Sequence, residues 1–157
     1  MPTSAGLLVY RRTPAGVRVL LVHPGGPFFR NKDAGAWTIP KGQPNPGEEL
    51  LDAARREFRE ETGFVAGDVG LLSLGQVKQK GGKVIHAWAA KANAELDPSQ
   101  ITSNQFEVEY PPRSGKFQSF PEVDRAAFFT IDQAREKINA AQATLLDRLE
   151  TALTSTP

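Results

Sequence analysis

The fold is decided by residues 42–64, which spell GQPNPGEELLDAARREFREETGF. Between Glu48 and Glu61 this stretch has no Gly or Pro and many residues that favour helices, so it predicts the clearest helix of the chain. Pro46 suits an early helical position, and Gly63 predicts the point where the helix stops. The apolar side that the helix would turn toward the core is formed by Leu51, Ala54 and Phe58.

Three acidic side chains of this predicted helix are spaced to share one face. Glu57, Glu60 and Glu61 stand at i, i+3 and i+4, and at about 100° per residue they project together. Their mutual repulsion would destabilise a bare helix, so the cluster needs compensation. The arginines of the same helix could supply it through ordinary salt bridges. A bound divalent cation could also supply it, because Mg²⁺ prefers hard oxygen ligands.

The stretch also matches a longer pattern than the three acids. The pattern is a Gly, five residues, a Glu, seven residues, Arg-Glu, an apolar residue, any residue, Glu-Glu, any residue, Gly and an apolar residue. Its fixed positions are filled by Gly42, Glu48, Arg56, Glu57, Phe58, Glu60, Glu61, Gly63 and Phe64. Nine positions at set spacing are far more specific than a short glycine motif. The chain therefore resembles the Nudix hydrolases, whose signature box has this pattern.

The resemblance implies a fold and a chemistry. The fold is α/β (α+β), a mixed β-sheet sandwiched between helices, and residues 1–157 would form a single Nudix hydrolase domain. The family cleaves phosphoanhydride bonds in nucleoside diphosphates linked to another group, with Mg²⁺ or Mn²⁺ bound at the box.

The resemblance also assigns roles to box residues by their position. The metal-ligand acids are Glu57, Glu60 and Glu61, and Gly42 would offer its backbone carbonyl to the metal. Arg56 and Glu48 would form the ion pair that holds the box loop against its helix.

The general base is left open between two acids. Different Nudix enzymes use a box Glu, here Glu60, or an acid from a later loop. Glu122, in the segment FPEVDR, resembles the late-loop acid, and a solvated loop acid is the alternative. Glu107 and Glu109 are further candidates in a polar stretch.

Lys41 gives a clue to the substrate, because it stands directly before the box in Pro-Lys-Gly. This tripeptide resembles hydrolases of dinucleoside polyphosphates and related highly phosphorylated substrates, whereas ADP-ribose hydrolases more often have Pro-Ala-Gly. Lys41 would then meet a phosphate as a point charge, and an exposed lysine is the alternative. The downstream Tyr of many dinucleoside tetraphosphate hydrolases is missing, since the matching region is Lys80-Gly81-Gly82.

Aromatic and basic residues outside the box offer further binding candidates. His86 and Trp88 alternate on one predicted strand, so they would share a face and either line a base pocket, with Trp88 stacked on adenine, or belong to the sheet core. Phe28 is a stacking candidate in the loop 24–35, with a core anchor as the alternative. Others of the same kind are Phe29 and Phe117. The loop cations that could reach extra phosphates, or be merely solvated, are Arg30, Lys32, Arg113 and Lys116.

The flanking sequence predicts strands on both sides of the box helix. Residues 5–11 and 17–22 predict a β-hairpin, residues 37–39 a brief strand, and residues 70–79 and 83–90 two more strands. Residues 92–121 are predicted to be irregular apart from a short element near Phe106. A last strand at 126–130 and one or two helices within 132–153 would close the chain.

Composition narrows the function classes. The 157 residues carry 19 Lys+Arg against 18 Asp+Glu and no Cys, which excludes disulfides, a thiolate nucleophile and sulfur ligands. The net charge of +1 gives no field for a stable nucleic-acid partner or an anionic membrane. Without a signal peptide or a long apolar stretch, the expected location is cytoplasmic.

The predicted function is a divalent-metal-dependent Nudix hydrolase acting on a small-molecule nucleotide. The favoured substrate is a dinucleoside polyphosphate or a nucleoside triphosphate. The alternatives are ADP-ribose, an RNA 5′ end, or a non-catalytic Nudix module that binds a nucleotide. A degenerate module would be expected to lose box carboxylates, and none is missing here.

Overall fold

A long β-hairpin forms the centre of the molecule. The structure is a computed structural model that describes residues 2–67 and 70–155. Strands β1 (Thr3–Thr13) and β2 (Gly16–Pro24) run antiparallel, and Thr13 pairs with Gly16 next to the turn. Their middle residues are fully buried, as expected for apolar strands covered on both faces. The predicted hairpin is therefore confirmed.

Four further strands complete a mixed six-stranded sheet, in the order β4-β5-β1-β2-β8 with β3 paired to β1. These strands are β3 (Lys41–Gly42), β4 (Leu72–Lys78), β5 (Val84–Lys91) and β8 (Val123–Thr130). β5 lies parallel to β1, and the other neighbours are antiparallel. The predicted strands at 70–79, 83–90 and 126–130 are thus confirmed.

Helices cover both faces of this sheet. Helix α1 (Leu50–Thr62) packs on one face through an apolar cluster that includes Leu7, Val9 and Phe58. Helices α2 (Ile131–Lys137) and α3 (Ala143–Ser155) lie on the other face, where Leu145, Leu146 and Leu149 join the larger cluster. The predicted mixed sheet sandwiched between helices is confirmed, as are the two closing helices.

Helix α1 has the boundaries expected from its sequence, to within two residues at its start. Its first turn follows Glu49, whose side chain makes no capping bond. Its end is set by Gly63, which adopts φ 82° and donates its backbone N–H to the Arg59 carbonyl at 2.7 Å. Gly tolerates this left-handed conformation without a steric penalty, so the predicted stop is confirmed.

Two of the sequence predictions need correction. In residues 92–121 the predicted short element near Phe106 is confirmed as β6 (Gln105–Glu109), but the sequence did not predict that β7 (Phe117–Pro121) pairs with it in a separate antiparallel hairpin. β6 alternates polar and apolar residues, but β7 does not, and the turn between them contains two Pro residues, so the sequence gives no clear hairpin pattern. Residues 37–39 form isolated bridges to Val22 and Ile138, while the ladder with β1 lies at Lys41 and Gly42.

Candidate active site

The box loop reaches the helix through a very close approach at Gly42. Pairing of β3 with β1 fixes this residue opposite Ala5, and α1 lays the Glu57 carboxylate against its Cα. A Cβ added at Gly42 would lie 2.1 Å from Glu57 Cδ, closer than any real contact. Only glycine therefore leaves room for the carboxylate in this position.

Arg56 is a residue of α1 whose side chain reaches the box loop and contacts three acids. Its Nε lies 3.0 Å from Glu48 Oε2, and its Nη1 contacts Glu57 Oε1 at 2.9 Å and Glu60 Oε2 at 3.0 Å. Its Nη2 also donates to the Gln43 carbonyl at 3.0 Å. The structure thus brings Arg56 and Glu48 together, and the bond from Arg56 holds the pKa of Glu48 below its ordinary value.

Glu61 is the buried acid of the cluster, with 8% of its surface exposed. Its Oε2 accepts the backbone N–H of Lys41 at 3.3 Å. Burial, followed by the charge of Glu57, raises the pKa of Glu61 to about 9, against the opposing effect of the Lys41 charge. Burial likewise lowers the pKa of Lys41, and the charge of Glu61 opposes that shift.

Glu122 approaches the same cluster from the other side. It follows β7, donates its backbone N–H to the Asn104 carbonyl at 2.8 Å and accepts the N–H of Gly25 at 2.9 Å. Partial desolvation, followed by the charge of Glu57, raises the pKa of Glu122. The electrostatic field at the Glu122 carboxylate also includes the charges of Lys41 and Glu60. Two distant parts of the chain therefore meet here.

The donor chemistry of the cluster suits a hard divalent cation. Carboxylate and carbonyl oxygens are the ligands that Mg²⁺ and Mn²⁺ prefer, and Glu61 is a buried acid that a cation would stabilise. Within residues 2–67 and 70–155, no three acidic or His side chains already stand in a metal-holding arrangement. Glu57 and Glu60 each give an oxygen to Arg56, so they would have to exchange that contact for the metal.

The remaining predicted residues lie at different distances from this cluster. Trp88 is half-buried and packs against the apolar cluster on the α1 side. Phe28 is 51% exposed and meets Tyr110 edge-on, with ring centroids 6.1 Å apart. Glu109 accepts the backbone N–H groups of Arg113 and Gly115 at 3.1 Å each, so it stabilises a turn.

Two cavities lie near this region. One of about 160 Å³ opens beside Lys41, and its lining includes Phe29, Thr38 and Asn139. A larger one of about 490 Å³ lies along β8 and is lined by Trp37 and Arg125 among others, but by none of the predicted site residues. The reaction belongs at the acids and not in the larger cavity, because the reacting groups must touch the substrate.

Sequence reasoning missed the residues that join the loops around the site. His23 is fully buried, and its ring nitrogens contact Asp124 Oδ1 at 2.7 Å and the Lys32 carbonyl at 2.6 Å. Asn104 donates its backbone N–H to the Glu60 carbonyl at 2.8 Å. A lone His in an apolar strand and an Asn in a polar stretch give no local signal of such contacts.

The chain is similar to known proteins over most of its length. The family model of the NUDIX domain matches residues 2–149. The chain belongs to the Nudix family. Within this Nudix chain, no helix of the described residues is long and apolar enough to cross a bilayer.

Relatives of this Nudix chain include two curated proteins with partial matches. It is 38% identical over 72 residues to a mouse bis(5′-nucleosyl)-tetraphosphatase (asymmetrical), covering 41% of this chain and 49% of the relative. It is 42% identical over 62 residues to an RNA pyrophosphohydrolase of Novosphingobium aromaticivorans, covering 36% and 38%. The chain therefore spans about half the length of these relatives or less.

A solved structure supports the fold over a greater length. The Ap4A hydrolase of C. elegans, in a binary complex, superposes with a TM-score of 0.67 over 99% of both chains, at 24% identity. At this identity the likeness establishes the architecture, and function has to be argued from the site.

Proposed function

We propose that this Nudix protein is a divalent-metal-dependent pyrophosphohydrolase, which cleaves a phosphoanhydride bond in a nucleoside diphosphate linked to another group. The observation that carries the proposal is the meeting of four acids in one cluster, three of which act on the charge of Lys41. Glu57, Glu60 and Glu61 come from one helix turn, and Glu122 comes from a segment about 60 residues later along the chain. Arg56 and Lys41 offset part of this negative charge, and a bound divalent cation would offset the rest.

The residues that would hold Mg²⁺ or Mn²⁺ are Glu57, Glu60, Glu61 and the Gly42 carbonyl. When bound, the metal would neutralise charge that develops on the phosphate and lower the pKa of the attacking water. Arg56 and Glu48 keep the box loop on the helix through the contacts described above, so they position the ligands.

Glu122 is proposed as the general base that takes a proton from the attacking water, with Glu60 as the alternative. The Glu122 carboxylate makes no ion pair within the described residues, whereas Glu60 is paired with Arg56. An acid that faces the cluster and keeps its oxygens free is available to accept a proton.

The substrate is proposed to be a dinucleoside polyphosphate or a nucleoside triphosphate. Support comes from Lys41, whose backbone and charge face the acids, and from the tetraphosphatase named among the relatives. Phosphate contact by Lys41 and base binding by Trp88 and Phe28 belong to this proposal. Because the RNA pyrophosphohydrolase relative shows similar identity, an RNA 5′ end stays an alternative, as does ADP-ribose.

Several broader expectations belong to the same proposal. Residues 1–157 are proposed to act as one domain that binds small nucleotides without a stable nucleic-acid partner. The cytoplasmic location also stays a prediction. A non-catalytic module is disfavoured, because all the box carboxylates are in place.

The test is a substrate panel assayed with Mg²⁺ and with Mn²⁺, containing diadenosine tetraphosphate, nucleoside triphosphates, ADP-ribose and a 5′-triphosphorylated oligoribonucleotide. We expect kcat/KM to fall by about a hundred-fold or more in Glu60→Gln and in Glu61→Gln, because each loses a charged ligand. Both variants should also lose the Mg²⁺-dependent rise in thermal midpoint. Glu95→Gln, an exposed acid elsewhere, is the matched control. Near-native turnover by both site variants would refute the metal site.

A further inference from the structure

The β6–β7 hairpin is anchored at the catalytic acids and extends away from them. At its base, Asn104 donates its backbone N–H to the Glu60 carbonyl and accepts that of Glu122, both at 2.8 Å. Glu122 itself directly follows β7. A ligand held at the acids therefore lies at the root of this hairpin.

An aromatic row runs along the hairpin from its root toward its tip. Phe106 and Phe120 are cross-strand partners with ring centroids 6.4 Å apart. The loop after β2 packs on this row, since a Cβ on Gly26 would lie 2.9 Å from the Phe106 ring. Farther out, Phe28 meets Tyr110 and leaves half of its surface exposed. An exposed ring beside a second aromatic residue is suited to stack on a base.

The tip of the hairpin carries cations without acidic partners. Arg113 and Lys116 are exposed, and so is Arg30 in the facing loop. Among the ion pairs of residues 2–67 and 70–155, none includes these three side chains. Glu109, the nearby acid, has its oxygens bonded to backbone N–H groups of the turn. Arg113 and Lys116 together outweigh the Glu109 carboxylate, so the tip has a net positive charge and its two cations are available to phosphates.

The length of the hairpin limits what could reach its tip from the acids. Lys116 and Glu122 are six positions apart, which corresponds to about 20 Å of extended chain. Tyr110 lies at the same level as Lys116, because its N–H donates to the Lys116 carbonyl at 2.9 Å. A mononucleotide with its phosphates at the acids would leave this end empty. A second nucleoside carried on additional phosphates would fill it.

We propose that β6–β7 and the facing loop 26–30 form a binding arm for the distal nucleoside and phosphates of a dinucleoside polyphosphate. Phe28 and Tyr110 stack on the distal base, and Arg113 and Lys116 bind the distal phosphates. This proposal rests on the proposed function, because the ligand of the arm is the substrate that the acids cleave. Binding by the arm can be measured without cleavage. This binding role makes the arm the element that selects dinucleotides over mononucleotides.

The experiment measures dissociation constants of the methylene-bridged analogues of diadenosine tetraphosphate and of ATP, which resist hydrolysis, by calorimetry on the whole chain with Mg²⁺. We expect the dinucleotide to bind about ten-fold more tightly, from one additional stacked base and its phosphates. In Phe28→Ala and in Arg113→Asn/Lys116→Gln, this ratio should fall close to one. Asn is chosen because Arg113 adopts φ 62°, which Asn tolerates.

Two control variants separate charge at the tip from general effects. Arg113→Lys/Lys116→Arg keeps both charges and should retain most of the preference. Arg12→Gln/Lys91→Gln removes two exposed cations elsewhere and should leave the ratio unchanged.

Other results of these binding measurements would either overturn the arm or separate it from the proposed function. Equal affinity for the two nucleotides in the unmodified chain, or an unchanged ratio in the tip and Phe28 variants, would overturn the arm. Tighter binding of a 5′-triphosphorylated oligoribonucleotide, lost in the same variants, would also overturn it in favour of RNA. A preserved dinucleotide preference without hydrolysis of any substrate would refute the proposed function and leave the arm standing.

Discussion

At the scale of single residues, Gly42 shows how one missing side chain shapes the site. The Glu57 carboxylate occupies the space that any Cβ at this position would take. We predict that Gly42→Ala lowers kcat/KM by about ten-fold or more, because displacing a ligand by about 1 Å is enough to impair a preorganised site. Steady-state kinetics, with circular dichroism to verify folding, would check this.

The control for Gly42 is Gly35→Ala. An added Cβ at Gly35 would meet nothing within 4 Å, although its φ of 74° strains an Ala, so this variant should lose some stability without losing kcat/KM per folded molecule. If Gly42→Ala kept full activity, the close packing of Glu57 would have no catalytic importance.

At the scale of elements, the box loop and α1 depend on the Arg56 guanidinium. It spans the loop and the helix with directed bonds to Glu48, the Gln43 carbonyl and two helix acids. Lys has one ammonium group and cannot reproduce this fork. We therefore predict that Arg56→Ala and Arg56→Lys both lower kcat/KM by about ten-fold or more.

Arg59→Ala is the matched control for Arg56, since Arg59 is an exposed arginine on the same helix. Its kcat/KM should stay within about two-fold of the unmodified protein. Full activity of Arg56→Lys would show that a single positive charge is sufficient.

The loop 24–35 is held to α2 by the Asp33 carboxylate, and we expect this contact to make a pH-dependent contribution to folding stability. Asp33 accepts a bond from Trp37 Nε1 at 2.7 Å and pairs with Lys137. The bond from Lys137, followed by that from Trp37, lowers the pKa of Asp33 from its ordinary 3.8. A lowered carboxyl pKa contributes stability above the unfolded value, and this is lost as pH falls through the folded value.

We therefore expect Asp33→Asn to lower the thermal midpoint at pH 7, and the difference from the unmodified protein to narrow below pH 3.8. Thermal unfolding followed by circular dichroism from pH 7 down to pH 3 would measure it. A midpoint difference that stayed constant over this range would show that the charge of Asp33 contributes nothing.

In the molecule as a whole, one face of the sheet supports the helix that carries the acids, and the other face does not. The α1 face contains Phe58, which is fully buried and anchors the helix that carries the acids. The α2–α3 face contains Leu146, which is equally buried. Phe58→Ala should cost about 3–5 kcal/mol of unfolding free energy and Leu146→Ala about 2–5 kcal/mol.

Activity should separate the two core variants. Per folded molecule, kcat/KM should fall in Phe58→Ala, because the acids lose their support, and stay close to normal in Leu146→Ala. Denaturant unfolding combined with kinetics at low temperature would measure both quantities. Equal kinetic effects would mean that the site senses overall stability and not the α1 face.

Much of this architecture was predictable because its signals are local. Apolar runs around a short turn specify the β1–β2 hairpin, and helix-favouring residues ended by Gly63 specify α1. The pairing of β7 with β6 escaped prediction because β7 is short and its apolar residues do not alternate. The hairpin also packs against a loop some 80 residues earlier in the chain, and a local pattern does not show such contacts.

The box helix, the three acids on one face and the family that they indicate follow from the order of the residues, because spacing along a helix dictates direction. Three features follow from folding instead: Arg56 binds three acids at once, Glu61 is buried, and Glu122 joins the cluster. Folding also makes the β6–β7 hairpin begin and end at the acids. These features depend on contacts and desolvation between distant segments, which a linear pattern does not encode.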